Sequence, residues 1–241
     1  MRVIKLPPLR SQACRARTIA LLIALVGSSL FSASASAEFG SVKRVISGTA
    51  YTLEEGEFIV GVVGPLQFGI LDDLTISTHP ILDVLLTPNL ALRYKLLDSG
   101  VALSMNVSYI ETFLDPEHLL FPGTVAAFPM LTVPLAQRMA ITAQAGYLMD
   151  ISPIGHGFLF GGTVLALITP SDIVSVGFQD EYYRGRGIGR AVVLVTYSHA
   201  FYQLRFTVGA AIGKFPIQVG TAATDIKDFP IYPVVDIWWQ L

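Results

Sequence analysis

The sequence predicts an all-β protein: an antiparallel transmembrane β-barrel of about 12 strands, with 10 as the alternative count, following a cleaved signal peptide. Three observations carry this reading: a secretory leader, apolar segments that alternate with period two instead of forming helical spans, and turns that alternate between short and long. Of the 241 residues, 52% are apolar and only 14% charged. That balance excludes a disordered chain and, with so few Lys and Arg, a nucleic-acid binder. The single cysteine, Cys14, precedes the first apolar segment. The mature chain is therefore expected to lack a disulfide, a thiolate nucleophile and a cysteine metal site.

Residues 1–37 read as the leader. Arg2, Lys5, Arg10, Arg15 and Arg17 give a basic start, Ile19–Val26 an unbroken apolar core, and Ala35-Ser36-Ala37 a small-x-small cleavage site. The apolar core is shorter than the roughly 20 residues a spanning helix needs. Cleavage leaves residues 38–241 as the barrel, carrying 11 basic against 18 acidic residues. Export into a bacterial envelope follows, and a cytoplasmic enzyme is excluded.

The first strand is assigned to Val42–Leu53, before the Glu54-Glu55-Gly56 turn. Eleven strands can be counted from Glu57 onward, the first running to the Asp72-Asp73 turn, and both ends of such a barrel should lie on the periplasmic side. Parity therefore asks for one more strand. Alternation is clearest in 101–109, where Val101, Leu103, Met105, Val107 and Tyr109 share one face and Ala102, Ser104, Asn106 and Ser108 the other. It recurs in 90–96, 139–150, 174–183, 190–198, 202–213 and 232–241. The uncharged stretch 151–171 is interrupted by Pro153, Gly155, Gly157, Gly161, Gly162 and Pro170, too broken for a helix that crosses a membrane. A tilted strand needs only about 9–11 residues.

Short connections are expected at 72–73, 98–100, 136–138, 169–172 and 198–200, and longer ones at 115–123, 152–156, 183–187 and 214–228. Alternation places Tyr94, Tyr109, Tyr147, Tyr182, Tyr197, Tyr202 and Trp239 on the outward face near strand ends, as two aromatic girdles at the lipid interface. Tyr183, Tyr232 and Trp238 fall on the other face. Residues 78–88, rich in apolar residues around Asp83, read either as extensions of the flanking strands or as a short lid or plug over the mouth.

The last strand alternates Val235, Ile237, Trp239 and Leu241 outward with Asp236, Trp238 and Gln240 inward. Here the chain resembles bacterial outer-membrane β-barrel proteins, of the small uncharacterised type, whose final strand alternates and normally ends in an aromatic residue. It departs from them in ending on Leu241. The stretch from Gly56-Glu57-Phe58 to Asn89-Leu90-Ala91-Leu92 looks like that of the same group. The resemblance implies a place in the outer membrane, contact with its lipids and lipopolysaccharide, and the barrel assembly machinery as a partner during biogenesis. It carries no functional residues.

Inward positions expected to line the lumen are Glu57, Arg93, Lys95, Gln144, Asp150, Glu181, Arg190, Arg205, Asp236 and Gln240, together with the apolar Val63, Phe128, Met130, Leu148, Leu165, Leu167 and Leu194. The charged members carry both signs, which favours an internal ion-pair network over a strongly selective filter. Ser77 and His79 are the one nucleophile–base candidate, two residues apart on a strand and too distant for an easy hydrogen bond. His118, His156 and His199 fall in separate connections, so neither a metal nor another cofactor is expected. The leading functional expectation is a passive pore or transport barrel for small solutes. A closed structural or surface-interaction barrel is the alternative, and a lipid-modifying enzyme a third.

Overall fold

The computed structural model describes residues 41–84, 87–111, 123–151, 154–183, 187–188, 191–213 and 231–241. The leader, Arg190, and most of the long connections expected at 115–123 and 214–228 lie outside them. The strands are β1 (Phe58–Gly61), β2 (Leu66–Leu71), β3 (Leu74–Thr78), β4 (Asn89–Asp98), β5 (Ala102–Ile110), β6 (Thr124–Ala136), β7 (Met139–Ile151), β8 (Ile154–Thr169), β9 (Asp172–Tyr183), β10 (Gly187–Ile188), β11 (Val192–Phe201), β12 (Leu204–Gly213) and β13 (Tyr232–Gln240). One short helix, α1 (Pro80–Val84), joins β3 to β4. Each strand pairs antiparallel with its neighbour in sequence, except that β10 folds back on the end of β9 and leaves β9 to pair with β11. The pairing of β1 with β13, Ile59 opposite Gln240 through Gly61 opposite Trp238, closes a 12-strand barrel.

Alternation sets the two faces of the wall. In β5, Ala102, Ser104 and Asn106 are buried while Met105, Val107 and Tyr109 are exposed. In β7, Ala140, Thr142, Leu148 and Asp150 are buried while Met139, Ile141 and Tyr147 are exposed. Closure removes the sheet edges that would otherwise present unpaired N–H and C=O groups. Strand β6 carries Pro129, which has no N–H to donate, and its ladder to β7 skips from Ala127 opposite Tyr147 to Met130 opposite Gln144. Gly146 lies in that gap. A Cβ there would stand 2.3 Å from the Ala127 carbonyl oxygen and 2.4 Å from Phe128 Cβ, so the close backbone approach requires glycine.

Five short connections gather at one end of the barrel: 72–73, 99–101, 137–138, 170–171 and 202–203. The last differs from expectation. Strand β11 runs through 198–200 to Phe201, and the reversal is the pair Tyr202-Gln203, with Tyr202 at φ 56°, the left-handed conformation that two-residue hairpins demand. The long link expected at 152–156 is also absent, because β7 and β8 stay paired up to Ile151 opposite Ile154. The glycines at 155 and 157 are accommodated inside the strand.

The largest departure concerns the first strand. Residues 42–53 do not join the wall: after a single 3-10 turn at Val42–Arg44 the segment runs through the lumen at the short-turn end. The stretch counted as one strand from Glu57 is two, β1 and β2, reversing over residues 62–65. The two differences cancel, so the count of 12 stands while the identity of one strand changes. Val63, expected inside, belongs to this reversal and is half exposed. Where the segment leaves the lumen it pairs with β2: Gly56 N donates to the Gly69 carbonyl at 2.9 Å and Gly69 N to the Glu57 carbonyl at 2.9 Å. A Cβ on Gly69 would lie 2.0 Å from the Glu54 carbonyl oxygen, so only glycine lets the exit strap lie against the wall.

Candidate functional site

The lumen contains a plug. Val42, Val45, Ile46, Ala50, Tyr51 and Leu53 are all buried, Ala50 and Leu53 completely. They pack against inward residues of the short-turn half: Ile59, Ala102, Met130, Ala140, Leu165, Leu167, Ile173 and Ala200, with Phe128 and Trp238 beside them. Apolar inward residues in this half therefore form a socket. Adjacent apolar pairs such as Val45-Ile46, which alternation cannot place on one face of a strand, suit a segment surrounded on all sides.

Polar groups fix the plug at specific points. Ala50 N donates to Thr132 Oγ1 at 2.7 Å, which also bonds Thr142 Oγ1 at 2.8 Å. Leu53 N donates to Thr75 Oγ1 at 2.9 Å. Arg93 makes the strongest tie. Its Nη1 donates to the carbonyls of Ile46 and Tyr51, each at 3.0 Å, and its Nε to Asn106 Oδ1 at 2.9 Å. At the rim, Lys43 Nζ bonds Asp98 Oδ1 at 3.1 Å, and that carboxylate holds the ammonium pKa above its ordinary value. Burial likewise pushes the Tyr51 phenol up.

The sequence-predicted lumen residues take different places. Arg93 is central. Lys95 sits at the short-turn rim, where Nζ donates to the Asp72 carbonyl at 2.8 Å. Glu57 is at the same rim, its Oε2 accepting from Glu54 N at 3.0 Å and its Oε1 from Gln240 Nε2 at 3.5 Å. Arg205 is buried over the Trp238 ring, 5.8 Å from its centroid, and its Nη1 donates to the Tyr202 carbonyl at 3.2 Å. Gln144 Nε2 reaches Gln179 Oε1 at 3.4 Å across β8. Asp150 is buried and accepts from Thr124 Oγ1 at 3.2 Å, while Glu181 faces inward opposite Leu159. Arg93 takes no part in the internal ion-pair network expected of the inward charges: its acceptors are carbonyl and amide oxygens, and no described carboxylate pairs with it. The Lys43–Asp98 ion pair and the contact of His199 Nδ1 with Asp172 Oδ1 lie at the short-turn rim.

Asp236 has a distinct task. Its Oδ1 accepts from Val63 N at 3.1 Å, Gly64 N at 3.0 Å and Ile237 N at 2.9 Å, pinning the β1–β2 reversal to β13. Hydrogen bonds to a charged acceptor are worth roughly 1.5–3 kcal/mol each. Asp236→Ala should therefore free this hairpin, read as protease cleavage within 62–65 and a lower temperature for loss of the compact gel form. Asp236→Asn should fall between, since it keeps the acceptor and loses the charge.

Above the plug lies a cavity of about 150 Å³ lined by Gln67, Thr75, Ser77, Ala91, Arg93, Asn106, Ser108 and Phe128. Register explains the grouping. Gln67, Ser77, Ala91 and Ser108 form one cross-strand row over β2–β5, and Thr75, Arg93, Asn106 and Phe128 the next row down over β3–β6. Ser77 faces this cavity, whereas His79 lies beyond the end of β3 with Nδ1 buried and without a partner; no hydrogen bond joins the two. Of the segment 78–88, residues 85–86 lie outside the described residues; the start of it is tied to Asn89, with Thr78 Oγ1 and Asn89 Nδ2 donating to Asp83 at 2.8 and 3.1 Å and Asn89 Oδ1 accepting from His79 N at 2.6 Å. Val84 points to solvent. No group of His, Cys, Asp or Glu among the described residues is arranged to hold a metal ion.

On the outside, Tyr94, Tyr197, Tyr202 and Trp239 lie toward the short-turn end, and Tyr109, Tyr147 and Tyr182 toward the other. Three of the hydroxyls find polar neighbours: Tyr197 donates to Asp172, Tyr109 to Glu111, and Tyr147 bonds His156. No protein-family model matches the chain, and no curated protein matches it in sequence.

Proposed function

We propose that this protein is a β-barrel of the bacterial outer membrane that provides a gated passage for small solutes, closed at rest by residues 42–53. Membrane insertion is supported by the outer surface. Leu90, Leu92, Met105, Val107, Ile141, Val164, Val176, Val195, Phe206 and Val208 are all exposed around the wall, a surface far too apolar for water. Tyrosines at both ends, three with hydroxyls turned to polar groups, and Trp239 at the short-turn end match the headgroup levels on either side of an apolar band. The leader pattern supports export, and lipopolysaccharide and the assembly machinery are the partners this place implies.

The observation that carries the gate is that the plug is no part of the sheet. A wall strand could leave only by breaking the barrel, whereas residues 42–53 are held by side-chain packing and a handful of hydrogen bonds. Elements of this kind open at a free energy well below that of global unfolding. Catalysis on lipid is not favoured, since Ser77 and His79 are not brought together.

The test is conductance of residues 38–241 refolded into a planar bilayer, with folding established by a shift between unheated and boiled gel samples. Infrequent discrete steps are expected. Silence of a folded barrel that persists after the plug is released would support the closed structural alternative.

A further inference from the structure

Arg93 is a half-buried cation whose hydrogen bonds go to neutral acceptors. Nε is used by Asn106 and Nη1 by two plug carbonyls, while Nη2 has no partner among the described residues. A guanidinium partly withdrawn from water and without a counter-charge favours an anion beside it. The cavity that Arg93 lines is rich in donors: Thr75 accepts from Leu53 N and keeps its own O–H, and Ser77 and Ser108 add two more hydroxyls. None of its lining residues is acidic. Gln67, itself buried, also lines this space. Ala91 and Phe128 supply an apolar wall.

We infer that this cavity is a binding site for a small monocarboxylate, its carboxylate on Arg93 Nη2 and the hydroxyls of Ser77 and Ser108, its short alkyl tail against Ala91 and Phe128. The volume sets the size: a cavity of about 150 Å³ holds a molecule of roughly six heavy atoms. Because Arg93 also holds the plug through Ile46 and Tyr51, the ligand sits on the latch of the gate. This last link rests on the gated-passage reading; the binding site does not.

Butyrate, with six heavy atoms, and its uncharged isostere butyramide are the probes, titrated calorimetrically into the folded chain 38–241 in detergent. Butyrate is expected to bind with one site per barrel and butyramide at least tenfold more weakly. Arg93→Gln should weaken butyrate by a similar factor. Ala91→Leu, which fills the cavity and leaves the plug bonds intact, should abolish binding even if Arg93→Gln fails to fold. Equal binding of the two probes, or undiminished binding to folded Ala91→Leu, would overturn the site. Binding by a barrel that never conducts, even with its plug released, would leave the site standing and remove the gate; conduction with no butyrate heat would do the reverse.

Discussion

Releasing residues 42–53 from the lumen is expected to raise the open time of the barrel at least tenfold. The direct variant is deletion of 41–53, which keeps the Glu54–Glu57 strap and all 12 wall strands. Deletion also strips the apolar socket of its partner, so a gentler variant belongs beside it. Leu53 is completely buried, and Leu53→Asp places a carboxylate in that apolar socket. Loss of a packed leucine costs about 2–5 kcal/mol and burial of a carboxylate adds to it, whereas the segment can escape the penalty by leaving. The wall has no such escape and should hold, visible as an unchanged gel shift. The converse variant pairs Ala50→Cys with Thr132→Cys, where a 2.7 Å contact between Ala50 N and Thr132 Oγ1 brings the two backbones within disulfide reach. Oxidised, this barrel should be silent; reduced, it should regain the parent's infrequent steps. A folded deletion variant that stays silent, or an oxidised one that conducts like the parent, would show that the passage does not run past the plug.

Most of the wall was legible in the sequence because a barrel imposes one rule on every strand. Val101–Tyr109 had to alternate, and it does, so register and facing follow from parity. The plug escaped that rule. A segment enclosed by the lumen has no outer side, so Val42–Leu53 reads as a poor strand, and the parity of chain ends invited its use as one. The signal that separates them is local: Val45-Ile46 and Ala50-Tyr51 set apolar residues next to each other, with Gly48 at φ 71° between them. The β1–β2 reversal was missed because its residues, Val62-Val63-Gly64-Pro65, look apolar enough for a strand and are held by Asp236 far along the chain. The cavity was half legible. Arg93 was recognised as inward from alternation, but its acceptors at Ile46 and Tyr51 exist only once the plug is in place.

Arg93→Met should loosen the plug more than any other single substitution in the wall. Removing a half-buried cation that lacks a carboxylate relieves part of a desolvation penalty, which taken alone would stabilise the barrel. Against this, three acceptors lose their donor together: the Ile46 and Tyr51 carbonyls and Asn106 Oδ1. An orphaned buried acceptor costs roughly 1–3 kcal/mol, and two of these three belong to the segment that can move. The balance therefore falls on the plug rather than on the sheet. Expected are more frequent openings at an unchanged conductance per step, together with a gel-shift temperature close to the parent's. Asn106→Ala separates the contributions, since it removes the wall acceptor and leaves both plug carbonyls paired; its opening frequency should stay near the parent's. Arg93→Lys should be intermediate, because an ammonium reaches one carbonyl as a point charge and lacks the planar fork that spans two. Adding the Ala50→Cys and Thr132→Cys pair to Arg93→Met should restore silence under oxidising conditions, since the tie at Ala50 is independent of the one at Arg93. An Arg93→Met barrel that unfolds as a whole, with no excess of openings below its unfolding temperature, would place the guanidinium in the structural core of the wall and not on the gate.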